Sequence, residues 1–125
     1  MKLSDTEWQV MNALWKRHPA TAREVADELP HDVTWAYTTL KTILNRLAAK
    51  GAVGESKRGN TSVYAPRISR SSARRSALGS LLRHAFDGAV GPLLHFLSEE
   101  KQLTPQQRQE LLDLLADERN REPED

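Results

Sequence analysis

The chain has 125 residues, and its 18 Lys and Arg residues nearly balance 17 Asp and Glu residues, so the formal net charge is only +1. Hydrophobic residues make up 38% and aromatic residues 6%, which favours an elongated molecule or an oligomer over one thick core. The absence of cysteine excludes a disulfide framework, a thiolate metal site and a cysteine nucleophile, while the lack of a signal peptide or a run of ~20 apolar residues predicts a soluble, cytoplasmic protein without membrane insertion.

The first predicted helix follows a capping box, in which Ser4 caps the helix and Glu7 reaches back to the cap. Apolar side chains then recur at helical spacing, at Trp8, Met11, Leu14 and Trp15. We expect the helix to end near His18, because Pro19 disfavours helical geometry in the residue before it. The two tryptophans are therefore interpreted as packing residues of this helix.

Two further helices are predicted next. Residues Thr21–Glu24 form a second capping box before a short helix that Pro30 ends. Thr34 is then expected to cap a third helix, Trp35–Lys50, and Gly51 suits the position that ends it.

The pattern changes after the third helix. Val53–Lys57 and Ser62–Ala65 are typical of short strands, and Arg58–Thr61 between them is typical of a hairpin turn. Three helices followed by a basic hairpin is the element order of a winged helix-turn-helix. We therefore predict a winged-helix domain over residues 1–67, within a mainly α fold that carries a small β-hairpin.

The rest of the chain is predicted to be helical. Residues 68–119 give about three short helices, the last opened by a capping box at Thr104–Gln107, and residues 120–125 form a polar, frayed tail. These helices carry more apolar surface than so short a segment can bury by itself. This predicts a helical dimerisation domain. The predicted interface residues are Leu78, Leu81, Leu82, Phe86, Leu93, Leu94, Leu97, Leu111, Leu112 and Leu115.

The charge is distributed unevenly along the chain. Residues 33–86 hold ten Lys and Arg residues and one acid, whereas residues 97–125 hold four basic and nine acidic residues. A basic middle segment beside an acidic tail favours a region that binds a polyanion.

The third helix is expected to display two different faces. Leu40, Ile43, Leu44 and Leu47 form one face, which must meet the core. The opposite face is free of acids and offers the groups that bond phosphates and base edges, at Thr38, Lys41, Thr42, Asn45 and Arg46. We predict that this face binds double-stranded DNA, with the hairpin residues Lys57, Arg58 and Asn60 contacting the adjacent minor groove or a phosphate.

No set of catalytic residues is visible, so we expect no enzyme, no cofactor and no metal site. The chain lacks a nucleophile elbow and a phosphate-cradling glycine loop, and its four histidines lack metal-ligand spacing. Two alternatives to a DNA-binding repressor remain open, namely a protein-interaction adaptor and a ligand-sensing regulator built on the same fold. An adaptor predicts an acidic or apolar groove on the third helix, and a sensor predicts a cavity in the helical domain.

Three segments carry a resemblance to a known family. The opening Leu3–Met11, the segment Trp35–Leu47 followed by Lys50-Gly51, and the hairpin Lys57–Pro66 resemble the penicillinase-repressor family of BlaI, MecI and CopY type. The likeness extends over residues 3–116, including the block that begins at Ser76.

The resemblance implies a homodimeric winged-helix repressor of the kind that regulates antibiotic resistance. Members bind inverted-repeat operators, and their C-terminal helices form the dimer. Together with the reasoning from the residues, this gives a set of candidate DNA-binding residues: Trp35, Thr38, Thr39, Lys41, Thr42, Asn45, Arg46, Lys50, Lys57, Arg58 and Asn60.

The resemblance also implies a mode of induction. In the β-lactam-responsive members a membrane receptor-protease triggers cleavage of an Asn-Phe bond in the dimerisation domain. The matching pair here is His95-Phe96, so this bond is the candidate cleavage site and a receptor-protease is a candidate partner. The Cys-x-Cys metal switch of the copper-responsive members is excluded, because the chain has no cysteine.

Overall fold

The computed structural model describes residues 1–101 and 104–119, apart from the side chains of residues 98, 100, 101, 115 and 117–119. Contacts divide the chain into two compact units, Met1–Ala73 and the described residues from Arg74 onward. The elements in chain order are α1 (Asp5–Lys16), β1 (Ala20–Thr21), α2 (Ala22–Glu28), α3 (Tyr37–Lys50), β2 (Val53–Arg58), β3 (Thr61–Pro66), α4 (Arg70–Ala85), α5 (Val90–Lys101) and α6 (Pro105–Arg119).

The predicted capping boxes are confirmed. At α1 the Ser4 amide donates to the Glu7 carboxylate at 2.8 Å, and the Glu7 amide donates to the Ser4 hydroxyl at 3.3 Å. Thr21 and Glu24 make the same reciprocal pair at α2. Thr104 and Gln107 repeat it at α6. Each box gives hydrogen-bond acceptors to two backbone N–H groups that would otherwise lack a partner at the start of the helix. The boxes thus fix where these helices begin.

The prediction for the start of the third helix was wrong. The helix begins at Tyr37, and its N-cap is Ala36, which makes no side-chain capping bond. Trp35 packs against the core of the first unit, and Ala36 is extended, with φ −62° and ψ 153°. This anchored, extended approach leaves Thr34 two residues before the cap, too early to reach the free amides of the first turn. The predicted end is confirmed, because Gly51 adopts the left-handed conformation, with φ 83°.

The sheet has three strands where the sequence predicted two. The hairpin of β2 and β3 pairs Val53 with Pro66 and Arg58 with Thr61, so its turn is shorter than predicted, and Gly59 supplies the positive φ of 65°. The short strand β1 pairs antiparallel with β3, which places β3 in the centre of the sheet. Two residues are too few to produce a periodic pattern, so no sequence pattern predicts β1.

The first unit has one core beneath α1, α2, α3 and the sheet. Its fully buried side chains include Val10, Met11, Leu14, Leu44, Leu47 and Tyr64. The core face predicted for the third helix is confirmed, because Leu40, Ile43, Leu44 and Leu47 are all buried. Trp8 and Trp15 pack against this core, and their ring centroids lie 6.0 Å apart. With one face of α3 fixed in the core, its other face must point to solvent.

The second unit has a small core of its own. Leu82 and Leu93 are its buried residues, and five partly buried side chains pack against them, at Leu78, Phe86, Val90, Leu97 and Leu111. Leu81, Phe96 and Leu114 remain 47%, 53% and 45% exposed. The predicted tail of residues 120–125 lies outside the described residues. No helix within residues 1–101 and 104–119 is long and apolar enough to span a bilayer.

Candidate nucleic-acid interface

The solvent face of α3 carries polar side chains and no acid. Thr38, Thr39, Thr42, Asn45 and Arg46 are all exposed. The Thr42 hydroxyl donates to the Thr38 carbonyl at 2.9 Å, which ties the hydroxyl to the backbone of the helix. The face therefore presents hydroxyl, amide and guanidinium groups on a rigid helix whose other side is held in the core.

Lys41, on α3, has a side-chain partner on the sheet. Its ammonium donates to the hydroxyl of Tyr64 on β3 at 2.6 Å and lies 5.2 Å from the centroid of that ring. The hydrogen bond from Lys41 to Tyr64 raises the pKa of the lysine, despite an opposing effect of burial. Lys41 is therefore a cation at neutral pH, as an unperturbed lysine also is.

A groove of about 540 Å³ opens between the hairpin and the starts of α2 and α3. It is lined by Thr21, Ala22, Arg23, Tyr37, Lys41, Lys57, Asn60, Thr61 and Ser62. Three of these residues are cations, most of the others carry hydroxyl or amide groups, and none is an acid. Such a lining is suited to a negatively charged oxygen ligand. The groove brings Lys41 together with the predicted hairpin residues Lys57 and Asn60.

The hairpin carries its basic side chains at its outer end. Lys57, Arg58 and Asn60 are exposed. The Lys57 ammonium donates to the Ser62 hydroxyl at 3.0 Å across the strands, and that hydroxyl donates to the Glu55 carboxylate at 2.5 Å. Arg58, by contrast, is a solvent-exposed cation at the edge of the turn. The hairpin thus offers the shape and the charge of a wing.

Internal partners also occupy two more of the candidate DNA-binding residues, Trp35 and Lys50. Trp35 is half-buried against the first core. The Lys50 ammonium donates to the Glu7 carboxylate at 2.6 Å and to the Lys2 carbonyl at 2.8 Å, so two of its three donors are occupied. The predicted DNA contacts of both residues stay predictions, and these partners favour a structural role for them.

Several residues that the sequence did not predict as DNA contacts lie at the groove or behind it. Arg23 and Tyr37 line the groove, and Tyr64 holds Lys41 from the core side. A helix-turn-helix reading could have indicated Arg23, because the first turn of the second helix faces the same ligand as the third. No sequence pattern indicates a role in the site for Tyr64, because its position in a predicted strand predicts only that its side chain is buried.

The predicted interface residues of the second unit divide by exposure. Leu82 and Leu93 are 4% and 1% exposed within one chain, so they offer a partner almost no surface. Leu81 is exposed, whereas six others are partly buried: Leu78, Phe86, Leu94, Leu97, Leu111 and Leu112. The side chain of Leu115 lies outside the described residues. The dimer contact itself remains a prediction.

The candidate cleavage pair lies in the middle of α5. His95 and Phe96 are both exposed, and the Phe96 ring packs at a tilt on Phe86, with centroids 6.4 Å apart. His95 lies 3.6 Å from the Glu99 carboxylate one turn later. Among the described residues, no group of three or more His, Cys, Asp or Glu side chains is placed to hold a metal.

Three helices, a three-stranded sheet with a basic hairpin, and an acid-free exposed face on the third helix define the chain as a winged-helix protein of the DNA-binding class. A family model described as the penicillinase repressor matches residues 3–117. The chain belongs to the penicillinase repressor family, as the sequence motifs indicated.

Individual relatives agree with this assignment. The penicillinase repressor of Bacillus licheniformis is 32% identical over 123 residues, which cover 98% of this chain and 96% of that protein. The methicillin resistance regulatory protein MecI of Staphylococcus aureus strain N315 is 24% identical over 114 residues, covering 91% and 93% of the two chains.

One solved structure supports the fold of the first unit. The solution structure of the DNA-binding domain of the repressor BlaI is 39% identical, with a TM-score of 0.50, and covers 55% of this chain and 84% of that one. The predicted fold class and family are confirmed. The chain is a DNA-binding repressor of this family and not an enzyme.

Proposed function

We propose that the chain represses transcription as a homodimer, with each copy binding one half of an inverted-repeat operator. The exposed, acid-free face of α3 lies in the major groove, and the hairpin contacts the adjacent backbone. The observation that carries this proposal is the face itself, on which Thr38, Thr42, Asn45 and Arg46 are exposed while the opposite face is buried. An α-helix with its side chains has about the width of the major groove.

The adaptor alternative receives less support from the same surface. It predicts an apolar or acidic groove on α3, whereas the groove that involves α3 holds Arg23, Lys41 and Lys57 and no acid. A protein partner would need a strongly acidic patch to fit it. Duplex DNA supplies that charge in a regular array.

The second unit supports the homodimer. Leu81 and Leu114 expose nearly half of their surface, and Phe96 slightly more. The described residues of this small unit include two buried core side chains, so its exposed apolar side chains gain the most by packing against an identical unit. Linking two DNA-binding units in this way raises the affinity for a two-part operator without any new contact to DNA.

Arg46→Ala tests the role of α3. We expect the affinity for the DNA upstream of the chain's own coding sequence to fall about tenfold, since one charged contact is lost. The slope of log affinity against log salt should become shallower by about one unit if Arg46 neutralises a phosphate. Fluorescence anisotropy over a salt series measures both quantities.

Lys16→Ala is the matched control, because it removes an exposed cation in the last turn of α1, away from the proposed interface. Its affinity and its salt slope should stay close to the wild-type values. Equal losses in both variants would mean that only net charge matters and would contradict the placement of α3.

We further propose that hydrolysis of the His95-Phe96 bond relieves repression, through a membrane receptor-protease that responds to an inducer. Cleavage in the middle of α5 would separate Leu93 from Leu97 and Leu111, which pack in one small core. The dimer would then lose the unit that holds it together. Because the bond lies within a helix, α5 must unwind locally before a protease can bind it.

Mass spectrometry of the chain recovered from cells that carry a candidate receptor-protease tests this step. We expect a fragment that ends at His95 to appear on induction, and no such fragment in cells whose receptor-protease carries an inactivating substitution. Induction that leaves every chain intact would contradict proteolytic relief. The appearance of a different cut site would place the switch elsewhere.

A further inference from the structure

The contact between Lys41 and Tyr64 joins the third helix to the central strand of the sheet. The ammonium–hydroxyl distance is 2.6 Å, which is short for a nitrogen–oxygen pair and typical of a charge-assisted bond. Tyr64 is completely buried, whereas Lys41 is partly exposed and lines the groove. A buried neutral side chain therefore holds a cation that faces a surface site.

The backbone around Tyr64 leaves the ring little freedom. It lies on β3, opposite Ala20 of β1 and opposite Glu55 of β2, so strands pair with it on both sides. Its ring belongs to the core cluster of the first unit. The hydroxyl is thus a fixed acceptor at the end of a rigid ring, unlike the hydroxyl of an exposed tyrosine.

A free lysine side chain has many rotamers and loses that freedom when it binds a ligand. In this structure much of that loss has already occurred, because the Lys41 ammonium is bonded to the Tyr64 hydroxyl. The ammonium keeps two further N–H donors, and the groove on its open side contains the cations Arg23 and Lys57. The hydrogen bond to Tyr64 also raises the pKa of Lys41.

We propose that Tyr64 is a positioning residue for DNA binding, which presets the Lys41 ammonium toward a backbone phosphate seated in the groove between the hairpin and the starts of α2 and α3. The inference rests on the proposed function and deepens it. Tyr64 does not touch the DNA. It acts through Lys41 and lowers the entropic cost of the lysine–phosphate contact.

A double-mutant cycle on the full chain tests the proposal. The variants are Tyr64→Phe, Lys41→Met and the double variant, and the probe is a short labelled duplex of arbitrary sequence at low salt, since a phosphate contact does not depend on sequence. We expect Tyr64→Phe to weaken binding about three- to tenfold, as one flexible side chain must then be ordered on binding. In the Lys41→Met background the same change should have no effect, because the group it positions is gone.

Thr6→Val is the control, since it also removes one hydroxyl and lies outside the groove lining. Its effect should be the same with Lys41 or with Met at position 41. Equal loss from Tyr64→Phe in both backgrounds would show that the hydroxyl serves the fold alone and would overturn the proposal, as would unchanged affinity of Tyr64→Phe. If the wild-type chain does not bind the duplex, the result contradicts the proposed function itself and not only the role of Tyr64.

A second measurement uses only the wild-type chain, so it does not depend on whether a variant folds. In the DNA-free wild-type chain, nitrogen NMR should show the Lys41 ammonium with slowed proton exchange and a hydrogen bond to oxygen, unlike the exposed Lys16. Addition of the duplex should shift this signal while the bond to Tyr64 persists. A Lys41 signal identical to that of Lys16 would contradict a preset ammonium.

Discussion

Among single residues, Glu7 shows how a side chain that caps one helix can also fix another. It is 1% exposed, closes the capping box of α1 and accepts the Lys50 ammonium from the end of α3. Burial by itself would raise the pKa of Glu7, but the hydrogen bonds from Lys50 and Ser4 outweigh it and hold the pKa below its usual value. The pair thereby fixes the end of the helix that carries the proposed DNA contacts.

This pKa shift predicts a pH dependence of stability. Because the pKa of Glu7 is lower in the folded chain, its contribution is present above the ordinary value of 4.5 and is lost as the pH falls below that value. We expect Glu7→Gln to lower the free energy of unfolding by about 1–3 kcal/mol at neutral pH, since a buried charge-assisted bond is weakened. The variant should also lose less stability than wild type on acidification.

Urea unfolding at neutral pH and at several pH values below 4.5 measures both effects. Asp5→Asn is the control, because Asp5 is an exposed carboxylate in the first turn of the same helix. Identical acid sensitivity of wild type and Glu7→Gln would show that the buried pair does not govern this pH dependence.

At the scale of elements, the features that could be predicted are those that a few residues close together in the sequence determine. Capping boxes place α1, α2 and α6 correctly, and helical periodicity identifies the buried face of α3. The start of α3 and the strand β1 could not be predicted in this way. Both depend on contacts distant in sequence, namely Trp35 on the core and Ala20 beside Tyr64.

The residues of the candidate site also divide into those that local sequence predicts and those that depend on distant contacts. Exposure of Thr38, Asn45 and Arg46 follows from periodicity alone, because the opposite face of their helix is apolar. The contact between Lys41 and Tyr64 and the pairing of Lys50 with Glu7 join residues 23 and 43 positions apart. Such pairs are set by how the elements pack, and no local pattern records them.

The uncapped start of α3 leads to a prediction about stability. Ala36→Ser should supply the missing side-chain acceptor at the N-cap and raise the free energy of unfolding by about 0.5–1 kcal/mol. Thr34→Ala should change it little, because Thr34 precedes the cap by two residues. Thermal or urea unfolding of both variants measures these effects. A lower free energy of unfolding for Thr34→Ala would show instead that Thr34 caps the helix.

For the whole molecule, the proposed function assigns a different task to each unit: the first binds DNA and the second joins two copies. The double variant Leu81→Asp with Leu114→Asp places charges at two exposed apolar positions. We expect sedimentation to show a monomer, and binding to a two-part operator to weaken by about a hundredfold, since the linkage of the half-sites is lost.

The matched control places the same charges at two exposed alanines, Ala89→Asp with Ala116→Asp. This chain should remain a dimer and bind as wild type. A double leucine variant that still sediments as a dimer would move the interface to another surface of the molecule.

The most direct test of the central claim is a hydroxyl-radical footprint of the wild-type chain on the DNA upstream of its own coding sequence. The account predicts two equivalent protected segments related by a two-fold axis, with their centres separated by about one turn of the double helix or a multiple of it. A folded chain that protects no DNA at low salt, or that protects one isolated half-site only, would contradict it.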